Sequence, residues 1–210
     1  MIVGKIPIRT HVITEKDDIV DVVFKYTGEI AGPGDVIAVA ETVVAITQGR
    51  AILPETVRPG TLAKFLCRFP GKDGSLATPQ AMHLAITETG VPRIFLGVAA
   101  AAAGKIAGRK GDFYRVAGRH LTLIDDVAGT MWPFQRHIIL GPKAPQEVVD
   151  RIKDATGAEA VVTDVNDIGN VDILAASNGI DGKALIKELE DNPFGNDDQQ
   201  TPIVVLKMAE

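Results

Sequence analysis

The sequence predicts a mixed α/β fold of the α+β kind, and three observations predict it. Aromatic residues make up only 5% of the chain while hydrophobic residues make up 46%. Val, Ile, Leu and Ala must therefore fill the core, which suits strands sandwiched with helices. Strand-length apolar runs alternate with well-capped helices, most regularly in the last third. Finally, 210 residues with 23% charge, 21 Gly and 12 Pro give one large domain or two small lobes. That composition excludes disorder, collagen and disulfide scaffolds.

The first clear strand is Val36-Ile37-Ala38-Val39-Ala40, short, β-branched and apolar, as expected of a strand buried on both faces. Glu41-Thr42 makes a polar corner, and a second apolar segment, Val43 to Ile46, follows before Gln48-Gly49-Arg50. Thr78-Pro79 opens a helix as N-cap and first-turn proline, with Ala81, Met82, Ala85 and Ile86 on its apolar face and Gly90 closing it. Segments 93–98, 137–141, 159–163, 171–175 and 202–206 each have the length of a strand. Ala99 to Ala103 reads as helix at a close-packed contact, since alanine is the best helix former. Pro145 opens another helix with Val148, Val149, Ile152 and Ala155 on one face and Gly157 after it. Asp181 caps a third, with Leu185, Ile186 and Leu189 inward. Strand, helix and strand over 137–163 form a right-handed crossover if the strands are parallel. The loops 125–136 and 191–201 are expected on the surface.

Charge and motifs narrow the function. Lys plus Arg number 22 against 27 Asp plus Glu, a net charge of −5, which disfavours a nucleic-acid partner. The N-terminus carries no signal-like apolar run and no stretch spans a membrane, so a cytoplasmic chain is expected. Cys67, the single cysteine, stands between Leu66 and Arg68 in an apolar context and reads as a buried small hydrophobe. His11, His83, His120 and His137 have no zinc spacing, and with only Ser75 and Ser177 there is no nucleophile elbow. The stretch Gly97 to Gly111 matches neither the P-loop nor the dinucleotide fingerprint. Its Lys105, Arg109 and Lys110 serve equally as a solvated turn or as an anion site.

Acidic residues say more. Asp125-Asp126 follows Leu121 to Ile124, and Asp164 follows Ala160 to Thr163. Carboxylates at strand ends open onto the usual cleft of an α/β protein. Asn166 and Asp167 add the hard oxygens that Mg²⁺, Mn²⁺ or Ca²⁺ prefer. An Asx-capped turn is the commoner use of such a run. Asp191-Asn192-Pro193-Phe194-Gly195 through Asn196, Asp197 and Asp198 to Pro202 reads as an ordered turn, or as a segment closing a site or a dimer contact.

Several segments together carry a resemblance: Thr14 to Ile19, Gly34 to Val44 ending in Gln48-Gly49-Arg50, Gly111-Asp112-Phe113 to Gly118, Ile139 to Pro145, Val161 to Asp164, and Asp191 to Gly195. In this order they resemble the coenzyme F-420:L-glutamate ligase family, especially its shorter branch. The resemblance implies a single ligase-like domain over 1–210 with two lobes, its cleft near 125–167, and an intertwined homodimer. It implies GTP (or ATP) and a divalent metal, Mg²⁺ or Mn²⁺, with a carboxylate activated by phosphorylation and attacked by an amine. The partners it implies are a small-molecule substrate, the nucleotide and a second copy. By this resemblance Glu41 and Thr42 fall at a nucleotide-contacting corner, Asp125 or Asp126 near one metal aspartate, and Asp164 on the other. Three positions depart from the family: Ile46 stands where the ligases hold phosphate with Lys, Val165 where they place a hydroxyl, and Ala128 or Gly129 where they place Asn. Those departures keep open a non-catalytic nucleotide- or small-molecule-binding protein on the same fold.

Overall fold

A computed structural model describes residues 2–70, 74–126, 132–166, 169–195 and 199–209. In chain order the elements are β1 (Ile2–Ile8), α1 (Ile19–Thr27), β2 (Val36–Ala40), α2 (Glu41–Thr47), β3 (Ala51–Ile52), α3 (Thr61–Leu66), α4 (Pro79–Thr89), α5 (Val91–Ile106), α6 (Asp112–Ala117), β4 (Ile138–Ile139), α7 (Pro145–Thr156), β5 (Glu159–Val165), β6 (Val171–Ala176), α8 (Gly182–Leu189) and β7 (Ile203–Met208). Helices and a mixed sheet coexist, as the composition requires. The chain divides into two compact units, Met1–Arg50 with Pro142–Glu210, and Ala51–Gly141.

The first unit is built on a five-stranded sheet of order β1-β7-β2-β5-β6. Only β2 and β5 run parallel; the other pairs are antiparallel. Alternate side chains leave opposite faces of a strand, and both faces here are covered. Ile37, Val39, Ala160, Val162 and Val205 pack with Val20 and Val23 of α1 and Val149 and Ile152 of α7. Val36, Ala38, Val161, Val204 and Leu206 pack with Leu185 and Leu189 of α8. This explains why β2 lacks polar alternation. Asp18 starts α1, its carboxylate accepting from the Val20 N–H at 2.8 Å and pairing with Arg151 of α7 at 2.8 Å. Asp17 closes the preceding turn on the Thr14 N–H at 2.8 Å.

The second unit is mostly helical, with the two-stranded β3-β4 pair beside it. Its core gathers Leu66, Leu76, Met82, Ile94, Leu121, Ile124 and Ile138. The Ala99 to Ala103 run lies within α5, as expected. Where α5 meets α6, Gly97 and Gly104 permit the approach: a Cβ on Gly97 would stand 2.8 Å from the Ala117 Cβ, and one on Gly104 would collide with the Asp112 carboxylate. The glycines of this stretch thus serve helix packing. Cys67 is buried.

Three expectations are corrected. Segment 93–98 is helix, because Pro92 sits in the first turn of α5 and the alanines propagate it. The second apolar segment, Val43 to Ile46, for which the sequence set no element, is helix inside α2, all four residues being buried. Leu121 to Ile124 is not a strand: Arg119–Leu123 forms a 3-10 turn, and Asp125 exchanges backbone hydrogen bonds with Ile139 at 2.8 and 2.9 Å. The 137–163 crossover does not form, because β4 is two residues long and pairs with β3, whereas the parallel partner of β5 is β2.

Candidate functional site

The pairing of two neighbouring strands of the first unit ends at Ala40 and Thr163, with β5 running on to Val165. Ala40 of β2 and Thr163 of β5 are register partners in the parallel pair, so Glu41 and Asp164 are the next residues along each chain. Carboxyl ends of adjacent parallel strands are where open α/β sheets bind ligands. Three of the residues singled out from the sequence, Glu41, Thr42 and Asp164, therefore stand at one end of one sheet.

Glu41 opens α2 and is buried. Its cap, Ala40, supplies no side-chain hydrogen bond, and an acid in the first turn of a helix meets the positive end of the dipole. Thr42 Oγ1 donates to Glu41 Oε1 at 2.9 Å. The corner thus presents a hydroxyl and a carboxylate already coupled, groups suited to ribose or base hydroxyl and amino groups rather than to phosphate.

Asp164 lies directly across the β5-β6 hairpin from Asp172. Register partners in an antiparallel pair have Cβ atoms about 5 Å apart. Burial raises the Asp164 carboxyl above the ordinary aspartate value, and the like charge of Asp172 raises it further. Thr163, fully buried, donates its hydroxyl to the Asp172 carbonyl at 3.0 Å and fixes the register at that point. Sequence reasoning missed Asp172. The signal lay in pairing 159–163 with 171–175 as a hairpin, which sets the two acids opposite each other.

The pair fits a divalent cation by the chemistry of its donors. Both are hard carboxylates, and a cation would counter the two effects that raise the Asp164 carboxyl. Among the described residues no group of three or more His, Cys, Asp or Glu is gathered for a metal ion. The remaining ligands of a Mg²⁺ or Mn²⁺ ion would then be waters or substrate oxygens, as is usual for Mg²⁺.

Asp125 and Asp126 stand in the second unit. Asp167, like Ala128 and Gly129, lies outside the described residues, as do Asn196, Asp197 and Asp198 of the tail segment. The described part of that tail is an ordered turn: Gly195 N–H donates to the Asn192 carbonyl at 3.0 Å, and Phe194 packs on the apolar cluster under α8. Of the three cations after Ala103, Arg109 is bound to Asp112 through Nε at 3.1 Å and Nη2 at 3.0 Å. Lys105 and Lys110 stay exposed.

Two of the three positions that depart from the ligase pattern, Ile46 and Val165, have structural roles. Ile46 is 2% exposed on α2, and Val165 packs against the cluster under α8. No single helix among the described residues is long and apolar enough to cross a membrane.

Residues 7–182 match the family model described as F420-0:Gamma-glutamyl ligase. No curated protein matches the chain.

Proposed function

The chain belongs to the F420-0:gamma-glutamyl ligase family, and from that premise we propose that it is a metal- and nucleotide-dependent ligase joining a small-molecule carboxylate to an amine. The observation that carries this reading is the Asp164–Asp172 pair, in which burial and the neighbouring like charge raise the proton affinity of Asp164. Asp164 and Asp172 would hold Mg²⁺ or Mn²⁺ in the first unit, and by the family pattern Asp125 or Asp126 would be a metal ligand of the second. The cation would supply charge neutralisation at the nucleotide phosphates. Glu41 and Thr42 would orient GTP or ATP through hydrogen bonds. The second unit adds support for an anionic ligand, since Ala51–Gly141 contains eleven Lys and Arg against six Asp and Glu. The assembly in this reading is a homodimer, and the compartment the cytoplasm.

A second reading has one observation in its favour. Ile46, where the ligases carry a phosphate-binding Lys, is buried and apolar. A non-catalytic nucleotide- or small-molecule-binding protein on the same fold needs no such cation.

Calorimetry with Mn²⁺ tests the metal site. Asp164→Asn and Asp172→Asn are each expected to weaken binding about 10-fold or more relative to wild type, by loss of an ionised ligand. Equal binding by all three proteins would remove the site. A thermal-shift series with GTP, ATP and GDP, with and without Mg²⁺, separates the nucleotides, because a ligand bound only by the folded state raises the melting temperature.

A further inference from the structure

Ile203 of β7 is the register partner of both Ile8 in β1 and Val39 in β2, so β1 and β2 run parallel on either side of it. The chain therefore leaves β1 at the sheet end where Glu41 follows Ala40 and Asp164 follows Thr163, with β1 about 10 Å from β2 by two strand spacings. Thr10 N–H donates to the Gln200 carbonyl at 3.0 Å and anchors the exit there. His11 comes next.

His11 is held on three sides. Its ring Nε2 bonds Asp17 Oδ1 at 3.1 Å and its Nδ1 bonds the Tyr26 hydroxyl at 3.0 Å, while its backbone N–H donates to that hydroxyl oxygen at 3.1 Å. These bonds set the direction of each proton. The Thr14 N–H and the His11 ring hold the Asp17 carboxyl below the ordinary aspartate value, so near neutrality it only accepts, and Nε2 carries the ring hydrogen. Nδ1 of the neutral imidazole is then the acceptor, and Tyr26 donates to it. Asp17 is itself fixed, because its Oδ2 accepts from the Thr14 N–H at 2.8 Å and from Thr14 Oγ1 at 3.0 Å. A carboxylate orienting an imidazole that in turn accepts from a hydroxyl is the arrangement that activates a hydroxyl. A tether between this loop and α1 would need only one of these bonds.

We propose that Asp17, His11 and Tyr26 form a proton relay ending on the Tyr26 hydroxyl, and that this hydroxyl takes the proton of the amine that attacks the activated carboxylate. The inference rests on the ligase reading above, to which it adds a base. An amine is protonated near neutrality and cannot attack until it gives up a proton. One ammonium proton passes to Tyr26 Oη as the phenol proton passes to His11 Nδ1, leaving an imidazolium paired with the Asp17 carboxylate. The freed nitrogen pair forms the C–N bond, the C–O bond to the phosphate breaks, and the second amine proton leaves on the departing phosphate. Tyr26 is the catalytic residue of this step, and His11 and Asp17 are positioning residues that act through it. Tyr26 packs on the core under β1 and β2, whereas the His11 side chain is 39% exposed, so a ligand can reach the relay. Among the described residues, the charged groups in contact with it are Asp17 from the loop and the Lys25 ammonium of α1, 5.3 Å from the Tyr26 ring centroid.

Labelling with an aryl sulfonyl fluoride, which reacts with a phenol as it loses its proton, tests the relay. The chain has two tyrosines, and Tyr114, whose phenol is raised by burial, is the internal reference. Mass spectrometry is expected to find Tyr26 labelled about 10-fold faster than Tyr114 or more, the preference falling as pH falls and the imidazole takes a proton of its own. His11→Gln can keep both hydrogen bonds but cannot take a proton, and is expected to lose the preference with its circular dichroism unchanged. His11→Ala is expected to regain it with added imidazole, which a merely structural histidine would not show. Equal labelling of the two tyrosines in wild type, or the same preference in His11→Gln, would overturn the relay. The amine's part is read with GTP, Mn²⁺ and the unglutamylated deazaflavin coenzyme, offering either L-glutamate or hydroxylamine, a weak base already unprotonated near neutrality. Tyr26→Phe is expected to lower amide formation about 100-fold or more and to leave hydroxamate formation nearly unchanged. Equal losses with the two amines would overturn the base role. Neither product from wild type would count against the ligase reading, while the labelling alone decides the relay.

Discussion

Two aspartates of the first unit have opposite relations to pH, and the difference decides what each is for. Asp35 is buried, which alone would raise its carboxyl. Hydrogen bonds from Lys207 and from the Gly32 and Met208 N–H groups, with the Lys207 charge, outweigh that and hold it below the ordinary value of 3.8. Its stabilisation is therefore present above 3.8 and lost as pH falls through the lowered folded value. Asp35→Asn is expected to cost about 2 kcal/mol near neutrality, the scale of hydrogen bonds to a charged group, and to flatten the acid limb of a urea-unfolding series. An unchanged acid limb would contradict it. Asp164 has the reverse sign. Its carboxyl is raised by burial and by Asp172, so the folded state binds the proton more tightly, and stability declines as pH rises through the raised value. Asp164→Asn should then stabilise the metal-free protein at neutral pH and do nothing below 3.8. A variant less stable than wild type at neutral pH would show that the charge is already compensated within the chain. Stability spent on a repelled acid pair is the pattern of a binding site rather than of a structural one.

At the level of elements, the contact of α5 with α6 is the most sharply determined by single residues. Gly104→Ala would drive a methyl into the Asp112 carboxylate, which cannot swing away because Arg109 and Arg115 hold it at 3.0 and 2.8 Å. Overpacking of this kind costs about 1–3 kcal/mol, so the melting temperature of Gly104→Ala should fall by several degrees; no change would mean that α6 shifts freely. The capped helices were legible in the sequence because each cap leaves a residue signature: Thr78 accepts from Ala81 N–H at 3.2 Å, and Asp181 from Lys183 N–H at 3.0 Å. Helix α2 was not, since Val43, Val44 and Ile46 prefer strands and only burial in the unit makes them helical. Segment 93–98 is ambiguous by its own composition, because a short apolar run fits a strand or a helix equally, and the decision lay in Pro92 and the alanines beyond. Asp164 and Glu41 were legible as residues following apolar strand-forming runs. Asp172 was hidden because its role comes from cross-strand register, which is not local in sequence.

Over the whole molecule, the net charge of −5 conceals a segregation: the second unit carries five net positive charges and the first ten net negative ones. An acidic unit with a repelled carboxylate pair suits a cation, and a basic unit suits an anion. The specific reaction of the family's name is a stricter demand. GTP brings several negative charges that the ligases meet with metal and a lysine, and here that position is Ile46, 2% exposed, able to supply neither charge nor hydrogen bond. Arg109 is committed to Asp112, leaving Lys105 and Lys110 as the exposed cations of that turn. A coupled assay with GTP, Mn²⁺, L-glutamate and the unglutamylated deazaflavin coenzyme is therefore expected to give turnover well below about 1 per second, the low end for ordinary enzymes. Steady turnover at or above that rate would show that other cations replace the lysine. Ile46→Lys does not serve as a rescue, because it would bury an ammonium in an apolar position and destabilise the unit before it could reach a phosphate. A protein that binds Mn²⁺ through Asp164 and gains thermal stability from nucleotide, yet ligates no glutamate to this coenzyme, would retain the machinery of the family for a different carboxylate.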